Sequence, residues 1–145
     1  MVTVGGVVVV STTLNEENEL EFAEVLNTTD GKVSLDAGEG QFTADGGTYQ
    51  IVFVTTNSSF DTSPISFPNG EPSWLGLDDG DSSGQITITF TNDNHDTSNQ
   101  VGVFHLHVLP EGSGTEPVVG DPTVVNNPIE GPPVPPVKPP ARVRA

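Results

Sequence analysis

His105 and His107 have the spacing in this sequence most suited to chemistry. Residues two apart on a strand point to the same face, so an H-x-H pair can offer two imidazoles to one metal ion. A third ligand would have to come from His95 or Asp96. The same spacing also describes two side chains on a solvent face opposite Phe104 and Leu106, and nothing in the sequence ties a loop ligand to that face. A second candidate is Asp79-Gly80-Asp81-Ser82-Ser83-Gly84, which places oxygen side chains at positions 1, 3 and 5 and glycine at position 6 of a calcium loop. Position 12 is Phe90 instead of a bidentate glutamate, and strand follows where a helix would. Asp79 and Asp81 therefore fit either a calcium site with few ligands or an ordinary hairpin connection. Trp74, next to Ser73 and Pro72, reads as a sugar-stacking ring or as part of the core.

The sequence holds no phosphate-cradling glycine loop of the P-loop type and no cysteine to serve as nucleophile or thiolate ligand. Twenty acidic residues make close carboxylate pairs inevitable, so such pairs do not indicate a glycosidase. We expect no enzyme and no obligate cofactor. Asn27-Thr28-Thr29 and Asn57-Ser58-Ser59 match the glycosylation sequon, but without a leader they read as polar loops.

The elements that must position these residues are strands. Tyr49, Ile51 and Phe53 share one face, and Ile86, Ile88 and Phe90 alternate with Thr87, Thr89 and Thr91, the period of a half-buried strand. Val2 to Leu14 is a β-branched run with Gly5-Gly6 as a bulge or bend. Leu20 to Val25 alternates, although its acids also suit a short helix. Residues 101 to 109 read as one long strand with Phe104, Leu106 and Val108 facing inward. Asp30-Gly31 and Asp45-Gly46-Gly47 are turns, while Pro64, Pro68 and Pro72 confine the middle of the chain to edge strands or loops. This spacing predicts an all-β fold, an immunoglobulin-like antiparallel β-sandwich with at least seven strands between residues 2 and 109. A strand and loop extension over 110–128 packs on that domain. Residues 129–145 form an extended proline-rich tail.

Gly120-Asp121-Pro122-Thr123-Val124-Val125-Asn126-Asn127-Pro128 resembles the terminal motif of the DP-EP family of small bacterial β-sandwich proteins. It follows the strand Phe104 to Val108 and the turn Asn92-Asp93-Asn94 in a compatible order. The resemblance implies a sandwich fold over roughly residues 2 to 128 and carries no activity with it.

Charge narrows the partners. The chain of 145 residues carries a formal net charge of −16, which argues against nucleic acid and anionic membrane surfaces. Its bases are Lys32 and, far away, Lys138, Arg142 and Arg144. Ten of the thirteen prolines lie from Pro110 onward, favouring a polyproline II tail that cannot enter a sheet interior. For a chain opening on Met1-Val2-Thr3-Val4 we expect no secretory signal and synthesis in the cytoplasm. The expected role is a non-enzymatic structural or interaction protein displayed on a larger assembly, such as a phage capsid. Pro132, Pro133, Pro135, Pro136, Lys138, Arg142 and Arg144 would form its docking arm toward another copy or a host assembly. The alternatives are a secreted calcium- or carbohydrate-binding module and a histidine-based metal site.

Overall fold

A computed structural model of the chain describes residues 4–17, 19–56, 58–77, 84–110 and 116–129, apart from the side chain of Thr62. The described residues contain twelve strands and no helix. The protein is all-β.

The longest sheet has the order β2-β1-β5-β8-β7, built from β1 (Val7–Leu14), β2 (Leu20–Asn27), β5 (Gly47–Thr55), β7 (Leu75–Leu77) and β8 (Gln85–Asn92). β3 (Val33–Asp36), β4 (Gln41–Ala44), β9 (Gln100–Val103) and β12 (Thr123–Asn126) form a four-stranded sheet of order β3-β4-β12-β9. β6 (Ser58–Ser66), β10 (His105–Pro110) and β11 (Val118–Gly120) form a three-stranded sheet of order β11-β10-β6. All three sheets feed one core. Val8, Val10, Tyr49, Ile51, Phe53, Ile86, Ile88 and Phe90 enter it from the first sheet, Phe42, Ala44 and Val124 from the second, and Phe60, Leu106 and Val108 from the third. Phe53 lies at its centre, edge-on to Phe22, Phe42 and Phe104 at centroid separations of 5.9, 5.9 and 6.1 Å. Edge-to-face geometry of this kind adds to the area term of aromatic burial.

The structure departs from the sequence reading at several points. Leu20 to Val25 is no such point: it follows its alternation and is strand, not a short helix, since β2 pairs with β1 from Leu20 to Asn27. The bulge is not at Gly5-Gly6. It lies where Val9 opposes Leu26 and Val10 opposes Glu24, leaving Val25 as the extra residue. Gly6 instead marks a close approach of two backbones, because a β-carbon there would sit 2.7 Å from the Thr29 α-carbon. Two strand pairings, β1 with β5 and β4 with β12, are parallel, so the expectation of a purely antiparallel arrangement is corrected. Both pairs are joined by connections long enough to carry the chain back to its starting end.

The expected strand over residues 101 to 109 is in fact two. At Phe104 the chain leaves the four-stranded sheet, where β9 pairs with β12, and enters the three-stranded one, where β10 pairs with β6 and β11. Phe104 itself is fully buried at that corner. β6 is an edge strand, and Pro64 falls where its register slips between the Ile65–Leu106 and Phe60–Val108 pairs. A proline without a donor is tolerated at such a place. Asp30 and Gly31 both have positive φ, 57° and 80°, as a tight turn of Asp-Gly type requires.

Strands β11 and β12 use the segment 110–128. β12 is an interior strand, with Val124, Val125 and Asn126 buried. Ile129, the first residue assigned to the tail, is tied to the body: its N donates to the Asn94 carbonyl at 2.7 Å and its side chain covers Gly46. The proposed docking residues Pro132, Pro133, Pro135, Pro136, Lys138, Arg142 and Arg144 lie outside the described residues, as do Asp79, Asp81 and Asn57.

Candidate functional site

The two histidines expected on one face of a strand are there. His105 and His107 are half-buried on β10, alternating with buried Leu106 and Val108, and their ring centroids are 6.5 Å apart. His107 Nε2 lies 2.8 Å from Ser66 Oγ on the neighbouring β6. The third ligand is not. His95 sits in the loop after β8 with Nε2 3.0 Å from Asp93 Oδ1, and the Asp96 backbone is held by the Asn94 side chain. Among the described residues no three His, Cys, Asp or Glu side chains gather into a metal-binding group.

Trp74 lies at the edge of the core and is only partly buried. One edge of its ring packs on Gly102, where a β-carbon would lie 2.6 Å from Cη2, and the side chain abuts the core. The ring also separates two open clefts of about 430 and 360 Å³. Glu71, Thr89 and Thr91 line the first, and Asp93 and Gln100 the second. A partly covered indole with carboxylate, amide and hydroxyl groups around it suits a neutral polyol better than an anion.

A groove that sequence reasoning missed lies at the opposite end of the molecule. Leu20 and Phe22 of β2 reach across to β11 and to the turn between β3 and β4, enclosing about 280 Å³. Leu20 fills the space that a side chain at Gly120 would need, 2.6 Å from its would-be β-carbon, while the Phe22 ring covers Gly40. Val118 and Val119 of β11 also line it, Val119 half exposed at 50 % on the face of β11 that it shares with His107. Exposed Glu19, Glu39 and Asp121 surround it. Both strands that flank the groove are sheet edges, so each presents backbone groups outward.

A third feature is a clamp of buried asparagines. Asn92 Nδ2 donates to the carbonyls of Ala44 and Asn127 at 2.8 and 3.0 Å, and its Oδ1 accepts from Asn94 N at 3.0 Å. Asn94 Nδ2 donates to the Ser98 and Asn126 carbonyls, both at 2.9 Å. Asn126 Nδ2 donates to Gln100 Oε1 at 2.8 Å and to the Thr91 carbonyl at 3.2 Å. Together they tie the end of β8 to β4, β9 and β12 where the sheets share no backbone ladder. Beside the clamp, Tyr49 Oη donates to the Gly46 carbonyl at 2.5 Å. Burial, and then the nearby Asp45 carboxylate, raise the Tyr49 phenol above its ordinary value, which keeps that donor protonated. Asn27 of the first sequon is engaged as well, with Nδ2 donating to the Val33 carbonyl at 2.7 Å.

These features define an all-β domain with an apolar, acid-rimmed groove at one pole and an asparagine clamp at the other. No protein-family model matches the chain. No curated protein matches it. Among solved structures it is similar to the inclusion body protein PixA of Burkholderia cenocepacia J2315, with 8% identity over 87% of this chain and 97% of that one, and a TM-score of 0.39. A superposition that loose carries no argument about function. None of these comparisons bears on the resemblance to the DP-EP family.

Proposed function

We propose that this chain is a non-enzymatic interaction domain displayed on a larger assembly, with residues 130–145 as its docking arm. Decoration of a phage capsid is the concrete version. The observation that carries the reading is the division of charge. Nineteen of the twenty acids and one of the four bases fall in residues 1–129, a formal charge of −18, against +2 on residues 130–145. Six prolines in that short arm lower the entropy lost on holding it extended against a partner. An immunoglobulin-like sandwich, with the five-stranded sheet opposing the other two across the shared core, suits such a role as a rigid display body. In the cells that make it, the full chain should sediment with particles far larger than itself. A chain ending at Ile129 should stay in the soluble fraction, with a melting temperature within about 2 °C of the full chain, because surface segments without burial contribute little to stability. Full-length protein found wholly in the light fraction sinks this reading.

The second reading, a calcium- or carbohydrate-binding module, is favoured by the two clefts beside Trp74. As the one tryptophan, it reports binding directly through its fluorescence. A neutral oligosaccharide should shift that emission in wild type, and a Glu71→Ala, Asp93→Ala double variant should lose the shift. Calcium bound through Asp79 and Asp81 should raise the melting temperature over that in chelator, since a ligand of the native state stabilises by mass action. Identical melts with and without calcium exclude that ion, and elemental analysis finding no stoichiometric metal excludes a site on His105 and His107.

A further inference from the structure

The acid-rimmed groove and the point at which the chain leaves the described residues lie at opposite poles. β1 ends at Leu14, which pairs with Leu20, and β5 begins at Gly47, which pairs with Asn92. Because β1 and β5 are parallel, Leu20 marks one end of that sheet and Asn92 the other. In the four-stranded sheet Asn126 pairs with Ala44, whose carbonyl accepts from Asn92, and Thr123 pairs with Gln41, next to Gly40 and the groove. β12 therefore runs away from the groove, and Ile129 is tied to Asn94 at the far pole. The eight residues of β1 correspond to roughly 25 Å between the poles.

We propose that the groove receives residues 130–145 of a second copy of this chain, so that copies associate head to tail. This deepens the docking-arm reading and rests on it. The occupant is argued from chemistry and reach. The apolar surface of Leu20 and Phe22 suits the flat, preformed faces of a proline-rich strand, the mode by which apolar grooves take polyproline II segments. Glu19, Glu39 and Asp121 offer carboxylates to Lys138, Arg142 and Arg144. A polyproline segment of sixteen residues spans about 50 Å, enough to leave one body and cross a neighbour's groove. Reaching its own groove would require reversing direction, which the pairs Pro132-Pro133, Pro135-Pro136 and Pro139-Pro140 resist. Because donor and acceptor are different surfaces, the contact is heterologous. Such contacts generate rings or open chains instead of two-fold dimers.

The test uses full-length protein and two charge-reversed variants. Glu39→Lys with Asp121→Lys blocks the groove, and Lys138→Glu, Arg142→Glu and Arg144→Glu together block the arm. All of these positions are either exposed or outside the described residues, and matching circular dichroism and melting curves verify the folds. Sedimentation velocity of wild type at low salt should show a mass that rises with concentration through more than two copies and falls as salt is added. Each variant alone should self-associate at least tenfold more weakly. Mixed in equal amounts, they should associate again, because the intact arm of one fits the intact groove of the other and the reversed arm of the second faces the reversed groove of the first. Wild type that stays monomeric at all concentrations, or that stops at a dimer, overturns the proposal, as does a mixture that fails to pair. Arm-dependent co-sedimentation with a large assembly by a chain that is monomeric when pure would leave the display reading standing and this inference refuted. Self-association without any co-sedimentation would do the reverse.

Discussion

Phe90→Ala should destabilise the protein by about 3–5 kcal/mol in urea or thermal unfolding, the range for removing a large buried aromatic. Phe90 is 1 % exposed and lies on β8, between Leu75 of β7 and Tyr49 of β5, its direct partners across the sheet. Its ring centroid is 5.8 Å from that of Tyr49. Strands on both sides fix the backbone, so the walls of the cavity cannot collapse inward and the lost contacts are not replaced. Thr89→Ala, one residue away on the opposite face, should cost under about 1 kcal/mol, in line with substitutions away from the core. Equal losses at the two positions would mean that β8 does not present Phe90 inward.

That contrast is also what made β8 legible in the sequence. Ile86, Ile88 and Phe90 alternate with threonines, and a period of two needs no knowledge of which strand lies alongside. The same holds for Tyr49, Ile51 and Phe53 on β5. Pairing is where local pattern runs out. From Val101 to Val108 the alternation of outward and inward residues continues unbroken through Phe104, yet the chain changes sheets there. An inward side chain looks the same in sequence whichever sheet its backbone bonds to. The parallel pairings of β1 with β5 and β4 with β12 were hidden for the same reason, because each joins segments with several strands between them.

The candidate sites divide along this line. His105 and His107 were visible because their relation is local, whereas the missing third ligand is a fact about loops. The groove was illegible. Leu20 and Phe22 read as an ordinary core face, and their half-covered state depends on β11, about a hundred residues later in the chain. Asn92-Asp93-Asn94 read only as a turn. Its local part was indeed accessible, since Asn92 Oδ1 accepts from the amide two residues on and Asn94 Oδ1 accepts from Asp96 N at 3.1 Å, the habit that places asparagine in turns. The bonds made by the other end of each side chain were not, because most of their acceptors lie in β4, in β12 and just after it, far along the chain.

Those bonds should carry a large share of the stability at the clamp pole. Asn92 is 2 % exposed and serves three backbone groups, the Ala44 and Asn127 carbonyls and the Asn94 amide. Truncation by Asn92→Ala removes all three partners at once. A buried polar group left without a partner costs roughly 1–3 kcal/mol, so a loss of about 3 kcal/mol or more is expected. The nearly isosteric Asn92→Asp separates hydrogen bonding from volume. It keeps the acceptor for Asn94 N but replaces a two-proton donor with a carboxylate facing two carbonyl oxygens, and among the described residues no cation is bonded to Asn92 to compensate. At neutral pH it should therefore be the more damaging change, since an unpaired buried charge costs more than a vacancy. Burial raises the folded-state carboxyl above its unfolded value, so the proton is bound more tightly in the fold. Stability relative to wild type at matched pH should recover as the pH falls toward the ordinary carboxylate range, where the neutral acid can again donate to one carbonyl. Melting curves of both variants across that range check the sign. A deficit for Asn92→Asp that does not shrink on acidification would show that the site is open to water, and that the asparagine bonds contribute far less than their burial implies.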